Sequence, residues 1–289
     1  MIGKKLTELT NVPLAIRQTK IFNYRISYVS AGNGPPLLLI HGANIGWGQW
    51  YLNIGELSKH FSVFAIDLPG AGESDNPDFR KADFDRDYII VVDRFIQNLS
   101  VDKISIVGHS FGAWITLQLA MQKKPYIGKM VLVNPMGFSD YIPLRHRPLA
   151  FYSLAWLFSK TVMRTTKNNM AKFISEAVEN KAGIKEEFTD YYFERVKRKT
   201  ENHPLFFIHM LIKFLGTNFK LFIPGLRDIK IPVLIIAGDK DKLVPIPKNL
   251  NSFQQLSNVR VEVVKNIGHV LPMEEPAMFN EMAIDFLTS

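Results

Sequence analysis

Lys103-Ile104-Ser105-Ile106-Val107-Gly108-His109-Ser110-Phe111-Gly112-Ala113-Trp114-Ile115-Thr116-Leu117-Gln118-Leu119-Ala120 is the stretch whose reading decides the fold. Its first five residues read as a short buried strand and its last eight as a helix. Between them, Gly108-His109-Ser110-Phe111-Gly112 must turn the chain sharply. In a strand, G-x-S-x-G, helix pattern only small residues fit two positions before and after the serine. The serine is held in a strained backbone conformation with its hydroxyl pointing out of the fold. Such a pentapeptide arises by chance in a chain of this length roughly one time in ten, so the surrounding pattern has to carry the reading.

That pattern alternates strands and helices. Phe22–Val29 alternates like a half-exposed strand, while Pro36–Ile40, Ser62–Asp67 and Met130–Asn134 are apolar runs suited to strands buried on both faces. Phe84, Tyr88, Val91, Val92, Phe95 and Leu99 form a stripe at helical spacing. Strands resume at Pro232–Gly238 and Val259–Val264, and Pro276–Leu287 reads as a closing amphipathic helix. The expectation is an α/β fold with a mainly parallel central sheet flanked by helices. Residues 138–224 break the rhythm: they are helix-like, aromatic-rich and too long for a loop. They read as a helical insertion, a cap, between a core formed by 1–137 and 225–289.

A serine hydroxyl is a poor nucleophile near neutral pH and needs a histidine base oriented by an acid. His269, in Asn266-Ile267-Gly268-His269-Val270, follows the last strand, where groups gather at the carboxyl edge of the sheet. The loop Gly238-Asp239-Lys240-Asp241 after the preceding strand offers two acids; Asp241 is the candidate partner and Asp239 serves the turn. The order Ser110, Asp241, His269 is one that serine hydrolases use. The charge that develops on a carbonyl oxygen calls for preorganised N–H donors. The backbone N–H groups of Phe111, beginning the helix, and Ala43, after His41-Gly42, are the candidates, with His41 shaping the loop. Such chemistry needs no metal and no organic cofactor.

The chain has 289 residues, 47% apolar, no cysteine and a net charge of +8. It therefore has neither a disulfide framework nor thiolate chemistry. Residues 138–224 hold 14 Lys and Arg against 8 Asp and Glu, an excess of 6 of the 8 positive charges. No zinc-ligand spacing or RNA-binding signature accompanies them, so no nucleic acid is expected. The first eight residues lack the apolar stretch of a signal peptide, and no apolar run reaches the roughly 18 residues of a membrane span. A cytoplasmic protein, at most peripheral to a membrane, is the expectation.

Four separated signatures occur in order: His41-Gly42-Ala43, Asp67-Leu68-Pro69-Gly70-Ala71-Gly72-Glu73-Ser74, the turn at Ser110, and Asp241 with His269. Together they resemble the α/β-hydrolase superfamily over nearly all of the chain outside the insertion. The resemblance implies an α/β-hydrolase fold with a helical cap after the sixth strand, and a serine hydrolase of carboxylesterase or monoacylglycerol-lipase type. Asp67–Ser74 is a signature of that superfamily without known chemistry; Asp75 stands where a dinucleotide loop needs glycine. Haloalkane dehalogenases and soluble epoxide hydrolases have an aspartate where this chain has Ser110. The cap stretch Ile184–Arg195 looks like that of meta-cleavage-product hydrolases, which cleave C–C bonds. Those enzymes typically carry Asn before the serine and Trp after the histidine, where this chain has His109 and Val270.

Ester hydrolysis on a hydrophobic acyl or alcohol part is thus the leading expectation. A C–C hydrolase or lyase on the same triad is the alternative, and a non-enzymatic ligand receptor with a retained triad is the reading from another class. Trp47, Trp156, Phe207 and Val270 are candidates for lining an apolar pocket. The cap's two most apolar stretches, Pro148–Phe158 and Pro204–Ile212, with flanking basic residues, also suit contact with an anionic membrane.

Overall fold

The computed structural model describes residues 6–78, 81–138, 144–161, 166–198, 223–246 and 250–289. Eight strands form one sheet: β1 (Ala15–Ile21), β2 (Tyr24–Ala31), β3 (Pro36–Ile40), β4 (Ser62–Ile66), β5 (Ile104–His109), β6 (Ile127–Val133), β7 (Val233–Gly238) and β8 (Val259–Val264). Their order is β1-β2-β4-β3-β5-β6-β7-β8. β3 to β8 run parallel, and β2 is antiparallel to both β1 and β4.

The apolar runs explain why the sheet is covered on both faces. Leu38, Ile40, Ile66, Ile106, Leu132 and Ile235 project into one buried cluster. The alternate residues Leu37, Leu39, Val107, Val131, Val133, Leu234 and Ile236 project into the other. This is the period-two geometry of a strand. Each fully buried side chain of this size contributes about 1.5–3 kcal/mol to folding, so the central strands anchor the loops at their carboxyl ends.

Helices pack on both faces. α1 (Ile54–Leu57) follows a single 3₁₀ turn at Trp47–Trp50, and α2 (Ile90–Asn98) is entered through a π-helical stretch at Asp85–Ile89. α3 (Phe111–Met121) is buried at every position but Gln118 and Met121. After β6 comes the helical insertion, with α4 (Tyr152–Thr161), α5 (Lys167–Ala177) and α6 (Glu186–Arg198). The core resumes with α7 (Ile223–Arg227), α8 (Leu250–Phe253), α9 (Leu271–Glu274) and α10 (Pro276–Thr288).

Two elements differ from the sequence pattern. β1 is an additional strand: it lies at the sheet edge, its residues 15–18 are exposed, and it lacks an apolar alternation that would announce it. The stripe from Phe84 to Leu99 is not one uniform α-helix. Its first turn widens where Asp87 accepts from Asp83 N, Tyr24 Oη and the Arg86 guanidinium.

Candidate active site

Four neighbouring strands each deliver one polar residue just past their carboxyl ends: Ser110 after β5, Asn134 after β6, Asp241 after β7 and His269 after β8. Ser110 adopts φ 51° and ψ −110°, a left-handed-side conformation unusual for a side chain with a Cβ. The flanking glycines make this possible. A Cβ on Gly108 would lie 2.6 Å from the Gly112 oxygen and 2.7 Å from Ala113 Cα, and one on Gly112 would lie 2.3 Å from the Ile40 oxygen. Strand, turn, helix and β3 are therefore in backbone contact around the serine. The Ser110 N–H donates to the Val133 carbonyl at 2.9 Å, tying the turn to β6.

The Nδ1 of His269 lies 2.7 Å from Asp241 Oδ2. Three further donors reach that carboxylate: Leu243 N and Val244 N at 2.8 Å on Oδ1, and Asn134 Nδ2 at 2.6 Å on Oδ2. Burial alone would raise the Asp241 carboxyl. The facing His269, with the hydrogen bonds from Val244 and Asn134, outweighs burial and holds it at about 2. An ionised Asp241 can only accept, so His269 carries its proton on Nδ1 and presents the lone pair of Nε2. Asp239 instead accepts from the Asn266 N–H at 2.6 Å, bracing the two loops against each other.

The loop bearing His269 is clamped on both sides. Buried Glu274 accepts from Gly268 N and Val270 N, both at 3.0 Å, and from the insertion's Glu179 N and Asn180 N at 2.8 and 3.1 Å. The His269 N–H itself donates to Ala177 at the end of α5, at 2.8 Å. Gly268 is needed here, because a Cβ would stand 2.8 Å from that same Ala177 oxygen. His109 completes the frame. Its Nε2 donates to the His269 carbonyl at 2.7 Å, and its ring lies 4.8 Å from that of His269. Burial, reinforced by the neighbouring His269, depresses His109 to about 3, so it is neutral.

The oxyanion candidates sit on rigid supports. Phe111 is the first residue of α3, in the turn where a helix supplies no acceptors for its own N–H groups. Ala43 is half-buried, and its N–H meets no acceptor among the described residues. The loop around it is pinned. Gly42 N donates to buried Gln49 Oε1 at 2.9 Å, while His41 donates from Nδ1 to the Gly42 oxygen at 2.5 Å and accepts from Leu68 N at 3.0 Å.

The Asp67–Ser74 signature has a structural explanation. The buried Asp67 carboxylate accepts from Trp47 N at 2.7 Å and Glu73 N at 2.9 Å, and Ser74 Oγ links Asp67 O to Ser27 N. A Cβ on Gly72 would lie 2.0 Å from that carboxylate.

Of the pocket candidates, Trp47 is buried, with its ring 5.7 Å from that of Tyr191 on α6. Val270 is buried beside His269. Trp156 lies on α4, 46% exposed, and Phe207 lies outside the described residues. Asn134 and Glu274 were not singled out from sequence. A polar residue directly after a buried strand, and an acid five residues beyond the candidate histidine, were the available signals.

The family described as alpha/beta hydrolase fold matches residues 35–276. The chain is 26% identical over 297 residues to a 2-hydroxy-6-oxo-6-phenylhexa-2,4-dienoate hydrolase of Comamonas testosteroni, covering 98% of this chain and 99% of that protein. It superposes on a putative lipase from Acinetobacter baumannii with a TM-score of 0.83 at 22% identity, over 100% of this chain and 96% of the other. A naproxen esterase from Bacillus subtilis gives a TM-score of 0.75 at 20% identity, over 99% and 95% of the two chains. The chain belongs to the alpha/beta hydrolase fold family, with a helical insertion after β6.

Proposed function

We propose that the protein hydrolyses carboxylic esters with a hydrophobic acyl or alcohol part, through an acyl-enzyme on Ser110. The observation that carries this reading is the Asp241–His269 pair, 2.7 Å apart, on the same sheet edge as the positive-φ Ser110. His269 Nε2 takes the Ser110 proton as Oγ attacks the ester carbonyl carbon. The carbonyl oxygen becomes an oxyanion between the N–H groups of Ala43 and Phe111. The tetrahedral intermediate collapses, His269 returns the proton to the leaving oxygen, and the alcohol departs. Water then attacks the acyl carbon, giving its proton to His269, and the carboxylic acid leaves with Ser110 regenerated. Asp241 stays ionised throughout and steadies the imidazolium. The described part of the insertion serves as a cap, tied beside the His269 loop by Ala177 O, Glu179 N and Asn180 N.

C–C bond hydrolysis on the same triad is the second reading, favoured by the name of the Comamonas relative. His109 before the serine and Val270 after the histidine stand against it, since C–C hydrolases of that type typically have Asn and Trp there. A p-nitrophenyl ester series of rising acyl length, run beside a vinylogous diketone acid, separates the two. Ester turnover that rises with chain length supports the first reading. Efficient cleavage of the diketone acid with poor ester turnover would replace it by the second.

A further inference from the structure

The surface of α4 is out of keeping with the rest of the molecule. Ala155 is its buried apolar residue, while Phe151, Leu154 and Leu157 are 66%, 45% and 52% exposed and Phe158 is also exposed. Phe151 begins the helix, since its carbonyl accepts from Ala155 N at 3.0 Å. Its spacing to Leu154 and Phe158, with Leu157 beside them, gathers these four side chains on one helical face. Tyr152 and Trp156 are exposed on the flank. Scattered exposed apolar residues are ordinary, but a contiguous apolar face of this kind marks a contact surface.

The charge that flanks this helix in the sequence points to the occupant. From Tyr141 to Ser175 there is no Asp or Glu, while Arg145, Arg147, Lys160, Arg164, Lys167 and Lys172 all fall within those residues. Lys167 is neutralised by Glu186 and Asp190; Arg147 is exposed. An apolar helical face set in a one-signed basic stretch matches an anionic lipid surface: apolar side chains enter the acyl boundary and Arg and Lys meet the headgroups. No helix among the described residues is long and apolar enough to cross a membrane, so the contact is a peripheral one.

We infer that the protein docks on anionic lipid membranes through the exposed apolar face of α4 and its flanking basic residues. Docking is independent of the reaction assigned to Ser110, since it is read without turnover. The test is co-sedimentation of the full chain with vesicles of phosphatidylcholine containing phosphatidylglycerol, against phosphatidylcholine alone, at low and high salt. Binding to the anionic vesicles that salt weakens at least about tenfold is expected. The double variant Phe151→Asp, Leu157→Asp is expected to lose it while keeping wild-type turnover of a soluble short ester. A second readout needs no variant: Trp47, Trp50 and Trp114 are buried and Trp156 is exposed, so brominated lipid should quench tryptophan fluorescence of the bound wild-type chain. Absence of sedimentation with anionic vesicles overturns the inference, as does undiminished binding by the double variant. Concentration-dependent dimerisation without vesicle binding, abolished by the same variant, would assign the face to a second copy instead.

Discussion

Asn134 Nδ2 lies 2.6 Å from Asp241 Oδ2, the oxygen that also receives the Nδ1–H of His269. Asn134 adopts φ 43° at the end of β6 and is buried, so its amide is fixed rather than adaptable. It holds the carboxylate together with the N–H groups of Leu243 and Val244. Asn134→Ala should lower kcat about tenfold, equivalent to about 1.4 kcal/mol, with KM little changed. Asn134→Asp should show a distinctive pH profile. The introduced carboxyl, while protonated, can still donate to Asp241, whereas once ionised it repels it. This variant's activity should therefore decline with rising pH where the wild type's does not. Matching profiles for variant and wild type would remove the positioning role.

Glu274 accepts four backbone N–H groups, two flanking His269 and two from the insertion. Glu274→Ala leaves buried donors without their acceptor and should cost about 3 kcal/mol in denaturant unfolding. It should also depress kcat by loosening His269. Glu274→Gln keeps one acceptor oxygen and should recover part of both. A fully stable Ala variant would show that water replaces the carboxylate.

Stability should fall with acid in two separable windows. His109 is depressed to about 3 in the fold against about 6.5 in the unfolded chain, so the unfolded state binds the extra proton between those values. Stability attributable to it is complete above about pH 6.5 and erodes as pH falls towards 3. Asp241, held at about 2 against an ordinary carboxyl near 3.9, contributes stability above about pH 4 that is lost as pH falls towards 2. The stability of His109→Gln in chemical unfolding should therefore be flatter than wild type between about pH 6 and about pH 4. Asp241→Asn should flatten the lower window instead. Parallel stability curves for His109→Gln and the wild type would contradict a neutral buried His109.

Gly108→Ala tests the turn. The new Cβ would meet the Gly112 oxygen and Thr116 Oγ1, each at 2.6 Å, and Ala113 Cα. Backbone on two sides cannot yield as a side chain can, so the turn must open. Loss of nearly all turnover, with destabilisation of about 3 kcal/mol, is expected. A stable, active Gly108→Ala protein would mean that the serine needs no such tight turn.

What was legible in the sequence follows from physics. Buried parallel strands need continuous apolar runs, so Pro36–Ile40 and Val233–Gly238 announced themselves and placed the loops carrying Ala43 and Asp241. The Gly-Ser-Gly spacing was readable because close backbone contacts leave no room for a Cβ. β1 did not read as a strand because, largely exposed at the sheet edge, it carries no apolar alternation. Asn134 and Glu274 were missed because their importance lies in partners distant in sequence, 107 residues away for Asn134 and about 95 for the Glu274 bonds to the insertion. The exposed face of α4 illustrates the reverse: its composition was plain, but only the fold shows that those side chains are not buried.

The central claim is that Ser110 is the nucleophile of a Ser110–His269–Asp241 triad. Labelling by a fluorophosphonate, followed by mass mapping of the modified peptide, tests it most directly. The wild type should be modified once, on Ser110, and lose turnover of p-nitrophenyl esters in proportion. Ser110→Ala should be neither labelled nor active while unfolding like the wild type. Undiminished labelling of the Ser110→Ala protein, or a modified residue elsewhere in the chain, would contradict the account.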